Sequence, residues 1–249
     1  MHLVLLGHGR FSRSFLESFQ ESSHSRLTIV PARQLDSDDL ISRLYELKPT
    51  HVIDLLDPST DLIPTFDYIY DRNLRFRSSL PDLPDSRYYY VSTVNLYQHA
   101  SGLINEQSTL RVIPSKGYLC LKHYSECLLE ASAKNLSILR VPSLYYPLDQ
   151  CLTPISFLDD LILSRSCSQV LPSREGDDLV FTYMSARLAA RTILDLVIED
   201  TPSLINISSQ VWSTRFCLKN AIEFVDNFEQ GLRITTVHQR FLPINCDCL

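Results

Sequence analysis

Residues 2–12 read HLVLLGHGRFS, and this stretch decides the fold. His2–Leu6 is a short run of apolar residues with the signature of a buried strand. Gly7-His8-Gly9 then turns into an amphipathic helix over about 11–22, with Phe11, Phe15, Leu16 and Phe19 on one face. A strand that ends in Gly7-x-Gly9-x-x-Ser12 and opens a helix is the setting in which backbone amides cradle a pyrophosphate at a helix N-terminus. Gly7 permits the tight turn, Gly9 lets a phosphate approach the backbone, and Ser12 stands where a third small residue aids helix–strand packing. The competing reading is an ordinary turn. Two of the chain's 6 glycines being placed here weighs against it.

Outward from that corner, strands and helices alternate. LTIV (27–30), HVIDLL (51–56), YYYVST (88–93) and LSILRV (136–141) read as strands. Helices are expected over 38–47, opened by Ser37-Asp38-Asp39, and over 117–134. Such alternation predicts an α/β fold, a doubly wound parallel sheet of Rossmann type covered on both faces. Residues 1–146 form the expected dinucleotide-binding core and 147–249 a smaller substrate lobe interleaved with the last sheet elements. In that lobe, helices are expected at 155–164, 183–198 and 213–227, short strands or loops over 168–182, and strands at 205–208 and in ITTVHQRFLP near the C-terminus.

Bulk properties narrow the function classes. The chain has 249 residues, 45% hydrophobic and 21% charged, enough for a large core. A net charge of -6 argues against nonspecific nucleic-acid binding. No stretch approaches a membrane span, and Leu3–Leu6 is too short for a signal-peptide core and lacks a basic segment before it. The 7 cysteines, at 120, 127, 151, 167, 217, 246 and 248, form no CxxC, which reads as reduced thiols in a cytoplasmic protein. The histidines show no metal-ligand spacing, so no metal site is expected.

The chemistry-bearing pattern is Tyr118-x-x-x-Lys122 in GYLCLKHYSE, with Ser92-Thr93 at the end of the preceding strand. Residues four apart share a helix face. An ammonium beside a phenol favours the phenolate and lowers its pKa from about 10. A hydroxyl from Thr93 or Ser92 would bind the same oxygen as the phenol. Alone, such a pair is more often a surface helix pair. Its place behind a Ser-Thr strand end and downstream of a glycine turn favours a site. At the end of the second strand Arg33 follows Pro31-Ala32, and Arg10 lies in the glycine turn, so two guanidinium groups favour a 2′-phosphate there. That points to NADP(H) over NAD(H), with a solvated Arg33 as the alternative.

In order and spacing the chain resembles the extended short-chain dehydrogenase/reductase family, in the branch of sugar-nucleotide epimerases, dehydratases and reductases. The matching segments are LVLLGHGRFS, KPTHVIDLLDPS, YYYVSTVNLYQH, Asn105-Glu106, GYLCLKHYSE with Glu126, LSILRVPSLYYP, FTYMSARLAARTIL and INISSQVWSTRFCLKNAIEFV. The resemblance implies catalysis by Tyr118, Lys122, Thr93 and Ser92. It implies cofactor contacts from Gly7, Gly9, Arg10, Phe11, Ser12, Arg33, Leu55, Lys122 and Pro142. Val94 and Asn95 stand where dehydratases of the family carry an acidic pair, so a ketoreductase or epimerase is implied in preference to elimination. Tyr145 and Tyr146 either pack over the nicotinamide or close the core. The implied partner is a small polar substrate such as a nucleotide sugar, and relatives dimerise through the Tyr118 helix, here with Leu119, Leu121, Leu128 and Leu129.

The departures are specific. The glycine loop is one residue shorter than usual, and Asp54-Leu55-Leu56-Asp57 replaces the family's Asn-Ala-Ala. Ser185-Ala186 stands where an aspartate is usual. The stretch between 57 and 88 is short, so a helix and strand are expected to be abbreviated or lost there. These departures motivate a second reading, a non-catalytic dinucleotide-binding sensor or scaffold.

Overall fold

The computed structural model describes residues 1–22, 26–32, 35–58, 64–80, 86–97, 106–110, 117–146, 180–199, 203–207 and 212–214. Within these, β1 (His2–Leu6) leads to α1 (Arg10–Ser22), β2 (Arg26–Val30), α2 (Ser37–Leu47) and β3 (His51–Asp54). Next come α3 (Phe66–Ser78), β4 (Arg87–Thr93), a 3-10 turn (Val94–Leu96), α4 (Tyr118–Ser132) and β5 (Leu136–Val141). The chain continues through β6 (Ser143–Tyr145), β7 (Val180–Ser185), α5 (Ala186–Ile198), β8 (Ser203–Asn206) and β9 (Trp212–Thr214).

The main sheet has the order β2-β1-β3-β4-β5-β8, and every pairing is parallel. This is a Rossmann-like α/β fold. Its central strands β1, β3, β4 and β5 are buried along most of their length because both faces are covered. Leu3, Leu5, Ile53, Tyr89 and Leu139 point into one core layer with Phe15 of α1 and Ile193 of α5. Val4, Leu6, Val52, Tyr88, Tyr90 and Ile138 point into the other, with Leu44 of α2, Phe76 of α3 and Leu129 of α4. Each leucine buried this way stabilises the fold by about 2 kcal/mol.

The chain leaves β1 for β2 on one side and returns to β3 on the other. Ligands of such sheets bind at this switch point, above the carboxyl ends of the strands. A small second sheet, β6-β7-β9, pairs β6 with β7 in parallel and β7 with β9 antiparallel. Segments after residue 146 therefore join both sheets, since β8 completes the main one.

Several expectations are corrected. The stretch between 57 and 88 holds a full 13-residue helix, α3. Its buried side carries Phe66, Tyr70, Arg72, Asn73, Phe76 and Arg77, so charged residues interrupt the apolar period that marks a helix in sequence. The helix expected at 183–198 begins at Ala186, because Ser185 accepts a hydrogen bond from the Leu188 amide and caps it. In α2 the cap is Asp36, whose carboxylate accepts from the Asp39 amide at 2.8 Å. β3 stops at Asp54, where that side chain accepts from the Leu56 amide and turns the chain. Residues 212–214 are strand where a helix was expected to begin at 213. The segments 155–164 and 215–227 and ITTVHQRFLP lie outside the described residues.

Candidate active site

The glycine corner sits between the ends of β2 and β3. Gly7 donates to Val30 O at 2.9 Å, and Leu55 donates to Leu6 O at 2.9 Å. Gly7 has φ +110°, and a Cβ on it would lie 2.7 Å from Leu55 O. Only glycine fits there. A Cβ on exposed Gly9 would meet no atom within 4 Å, so the space in front of this turn is open. Ser12 does more than fill space: its buried hydroxyl donates to Gly7 O at 2.9 Å and accepts from the Gly9 amide at 3.3 Å. This open cradle at a helix start, with small residues where a phosphate would approach, fits a dinucleotide pyrophosphate.

The other expected cofactor residues divide. Phe11 packs edge-on against Phe15, with centroids 5.0 Å apart, so its ring serves the core. Leu55 abuts the corner through its carbonyl. Pro142 is buried between β5 and β6. Arg10 stacks over the Tyr146 ring at 4.5 Å. Tyr146 thereby meets the glycine turn instead of the core. Arg33 lies outside the described residues.

At the carboxyl end of β4, Thr93 and Tyr118 are hydrogen-bonded through their side chains. Thr93 also accepts from the Asn95 amide at 3.2 Å, capping the 3-10 turn. That contact uses a lone pair of the Thr93 oxygen and leaves its proton free for donation to the phenol. Lys122 comes from one turn further along α4. Its Nζ donates to Val91 O at 2.7 Å and lies 5.7 Å from the Tyr118 ring centroid and 5.0 Å from that of Tyr90. Ser92 is buried on the opposite face of β4 from Thr93, and its Oγ has no hydrogen-bond partner. The phenol, ammonium and threonine hydroxyl are thus brought together, and Ser92 lies behind them.

The surroundings of Lys122 are the feature that sequence reasoning missed. Its ammonium is 3.1 Å from Asp57 Oδ2, and both side chains are buried. Asp57 also accepts from Arg77 Nη1 at 2.8 Å, Asn73 Nδ2 at 2.8 Å and Tyr90 Oη at 2.7 Å. Arg77 donates to both oxygens of Asp54, at 2.8 Å and 3.1 Å, and to Ser125 Oγ at 2.6 Å. Tyr88 donates to Asp54 Oδ2 at 2.6 Å. Two carboxylates and two cations, all buried, form a neutral cluster under α4.

Burial alone would push the Asp57 carboxyl up, but Arg77, Lys122 and the donated hydrogen bonds outweigh it and hold that carboxyl well below the usual range. Burial and the neighbouring carboxylates push the Tyr88 and Tyr90 phenols well up. The expected lowering of the Tyr118 phenol is overturned. Burial raises it and Asp57 adds to that, against the opposing pull of Lys122 and the Thr93 hydrogen bond. The legible signal was Asp54 and Asp57 at the end of an apolar strand. Arg77 was hidden because α3 itself was not read.

A second buried cluster lies beside it. Arg140 of β5 donates to Glu126 of α4 at 3.0 Å and 2.6 Å, and to Tyr97 Oη at 2.7 Å. Tyr97 donates to Asn206 Oδ1 at 2.7 Å, and Glu106 accepts from the Asn206 amide at 3.0 Å. Glu106 therefore binds the β8 backbone. Among the described residues, no His, Cys, Asp and Glu groups are arranged to hold a metal, and no helix is long and apolar enough to cross a membrane.

No family model matches the chain, and no curated protein matches it in sequence. Solved structures do match. A dTDP-4-dehydrorhamnose reductase from Clostridium acetobutylicum aligns with TM-score 0.73 at 17% identity, covering 91% of this chain and 81% of that one. A UDP-glucose 4-epimerase from Thermotoga maritima, solved with UDP-glucose, aligns with TM-score 0.74 at 15% identity over 92% and 84%. A dTDP-4-dehydrorhamnose reductase from Bacillus anthracis, in complex with NADP, aligns with TM-score 0.72 at 14% identity over 91% and 80%. The chain shares the fold of these sugar-nucleotide enzymes across most of its length.

Proposed function

We propose that this protein is a nicotinamide-dependent oxidoreductase or epimerase acting on a carbonyl or alcohol of a polar substrate, a nucleotide sugar above all. The observation that carries the reading is the Tyr118–Thr93 contact with the Lys122 ammonium behind it, at the carboxyl end of β4. Gly7, Gly9, Ser12 and the α1 N-terminus would hold the pyrophosphate, and Lys122 and Pro142 would border the nicotinamide. The bound nicotinamide would supply or accept hydride. Tyr118 would pass its phenolic proton to the substrate oxygen, and Thr93 would hold that oxygen by a hydrogen bond. The raised phenol suits proton donation at neutral pH, the direction of carbonyl reduction.

NADP(H) is proposed ahead of NAD(H), on the Arg10 and Arg33 guanidinium groups. The assembly proposed with it is a homodimer through α4, whose outward side carries exposed Tyr124. Leu121 and Leu129 are fully buried in the monomer and take no part. A clean monomer in light scattering overturns that arrangement.

The test pairs thermal stabilisation by NADPH and NADH with turnover on a panel of keto-sugar nucleotides. A ligand that binds only the native state raises its melting temperature. Y118F is expected to keep the stabilisation and lose turnover by about 10²–10⁴-fold. Retained turnover defeats the mechanism. The second reading, a non-catalytic dinucleotide sensor, is favoured by one observation, the capture of Lys122 by Asp57. Stabilisation without turnover on any substrate selects it.

A further inference from the structure

Lys122 has two strong claims on its charge. One is the phenol, whose ring centroid lies 5.7 Å away. The other is Asp57 Oδ2 at 3.1 Å. We infer that Asp57 is a positioning residue: it anchors the Lys122 ammonium and sets how much of that charge reaches Tyr118. This rests on the catalytic reading above and deepens it, because a lysine turned to a carboxylate leaves the phenol as a proton donor.

Three features of the geometry support the assignment. Lys122 is held from two directions, by Val91 O at 2.7 Å and by Asp57, so its place is fixed before any ligand binds. Asp57 is fixed in turn by Arg77 and Asn73 on one oxygen and by Tyr90 on the oxygen that faces Lys122. Tyr90 and Lys122 therefore share Oδ2, and the phenolic hydrogen bond draws on the same negative charge that holds the ammonium. The charged and titratable groups facing the pair are Asp54 at the end of β3, Arg77 and, behind Asn73, Arg72 on α3, Tyr88 and Tyr90 on β4, and Tyr118 on α4. Arg77 is committed to both carboxylates. Lys122 is the cation of the cluster that also neighbours Tyr118. The direction of the phenol agrees, since Asp57 raises it while Lys122 lowers it.

The assignment predicts opposite effects from two substitutions. D57N removes the competing carboxylate while keeping an oxygen for Arg77, so more of the ammonium's charge reaches the phenol. Y90F removes the hydroxyl that shares Oδ2 and leaves the ring beside Lys122, so the carboxylate grips the lysine more fully. Carbon-13 NMR of ring-labelled tyrosine reads the result, with the Tyr118 resonance assigned by its loss in Y118F. At about pH 10, near the free phenol value, the ionised fraction of Tyr118 is expected to rise in D57N and fall in Y90F relative to wild type. Circular dichroism at the same pH checks that each variant is folded.

A merely structural Asp57 would lower stability and leave the Tyr118 titration in place. Folded variants with no movement, or movement in one common direction, overturn the inference. If D57N does not fold, Y90F alone decides by its sign. Failure of the catalytic reading is seen separately. Wild-type protein without turnover on any substrate removes that reading, while opposed NMR shifts still establish the Asp57–Lys122 control of the phenol.

Discussion

Two buried ionic clusters meet α4 side by side, one at Lys122 and one a turn further on at Glu126, and they are built on different plans. In the Arg140–Glu126 cluster each charge has one partner of opposite sign, and the remaining ligands, Tyr97 and Asn206, are neutral. It ties α4 to β5 and, through Asn206 and Glu106, to β8. In the Asp54–Asp57–Arg77–Lys122 cluster, Asp57 receives Arg77, Asn73, Tyr90 and Lys122 at once. The closed pair acts as a strap. The oversubscribed one can redistribute its charge, and it alone reaches the Tyr118 phenol. Burial does not separate the two. The number of claimants on each carboxylate does.

The largest test of this contrast is R77L. It leaves Asp54 and Asp57 buried without the guanidinium that bridges them, and breaking a buried pair costs about 3–5 kcal/mol. Loss of at least about 5 kcal/mol, or of the cooperative unfolding transition, is expected in urea denaturation. A stable R77L protein would show that α3 does not organise the site. Next, E126Q should destabilise by about 3 kcal/mol, because Arg140 is left charged and buried. It should leave the Tyr118 titration where it stands. If E126Q moves that titration, the two clusters are one network.

A graded effect is expected from acid. The Asp57 carboxyl is held well below its unfolded value of about 3.9. Its contribution to stability is therefore fully present above about pH 4 and is lost as pH falls towards the folded value. Urea midpoints should decline over that acid range, and the decline should be shallower in D57N. Equal slopes would remove Asp57 from the balance. The smallest effect is Y97F, expected to cost about 1 kcal/mol by removing one phenolic hydroxyl from the strap. A much larger loss would make Tyr97 a keystone and not an accessory.

The elements at the front of the chain were legible because their physics is local. Leu3–Leu6 is a run that only a strand covered on both faces can bury, and Gly7 is the residue its turn demands. Tyr118 and Lys122 were legible as a helix pair with the Ser92-Thr93 strand end before them. The state of that pair was not legible, because it depends on Asp57, which is 65 positions before Lys122 in the chain and touches it only after folding. α3 was unreadable for a related reason. Asn73 and Arg77 occupy positions where an apolar stripe would have signalled a helix, and their burial makes sense only opposite Asp54 and Asp57. Where a core is assembled from charges, pattern recognition on apolar residues sees a loop.

The Ser12 hydroxyl bridges the Gly7 carbonyl and the Gly9 amide. The turn is thus a clasp shut by its own latch. An incoming anion need not fold it, but must displace one long contact to win the Gly9 amide. Its grip will reflect that exchange of a neutral oxygen for a charged one, and removing the latch with S12A would loosen the clasp even as it frees the amide.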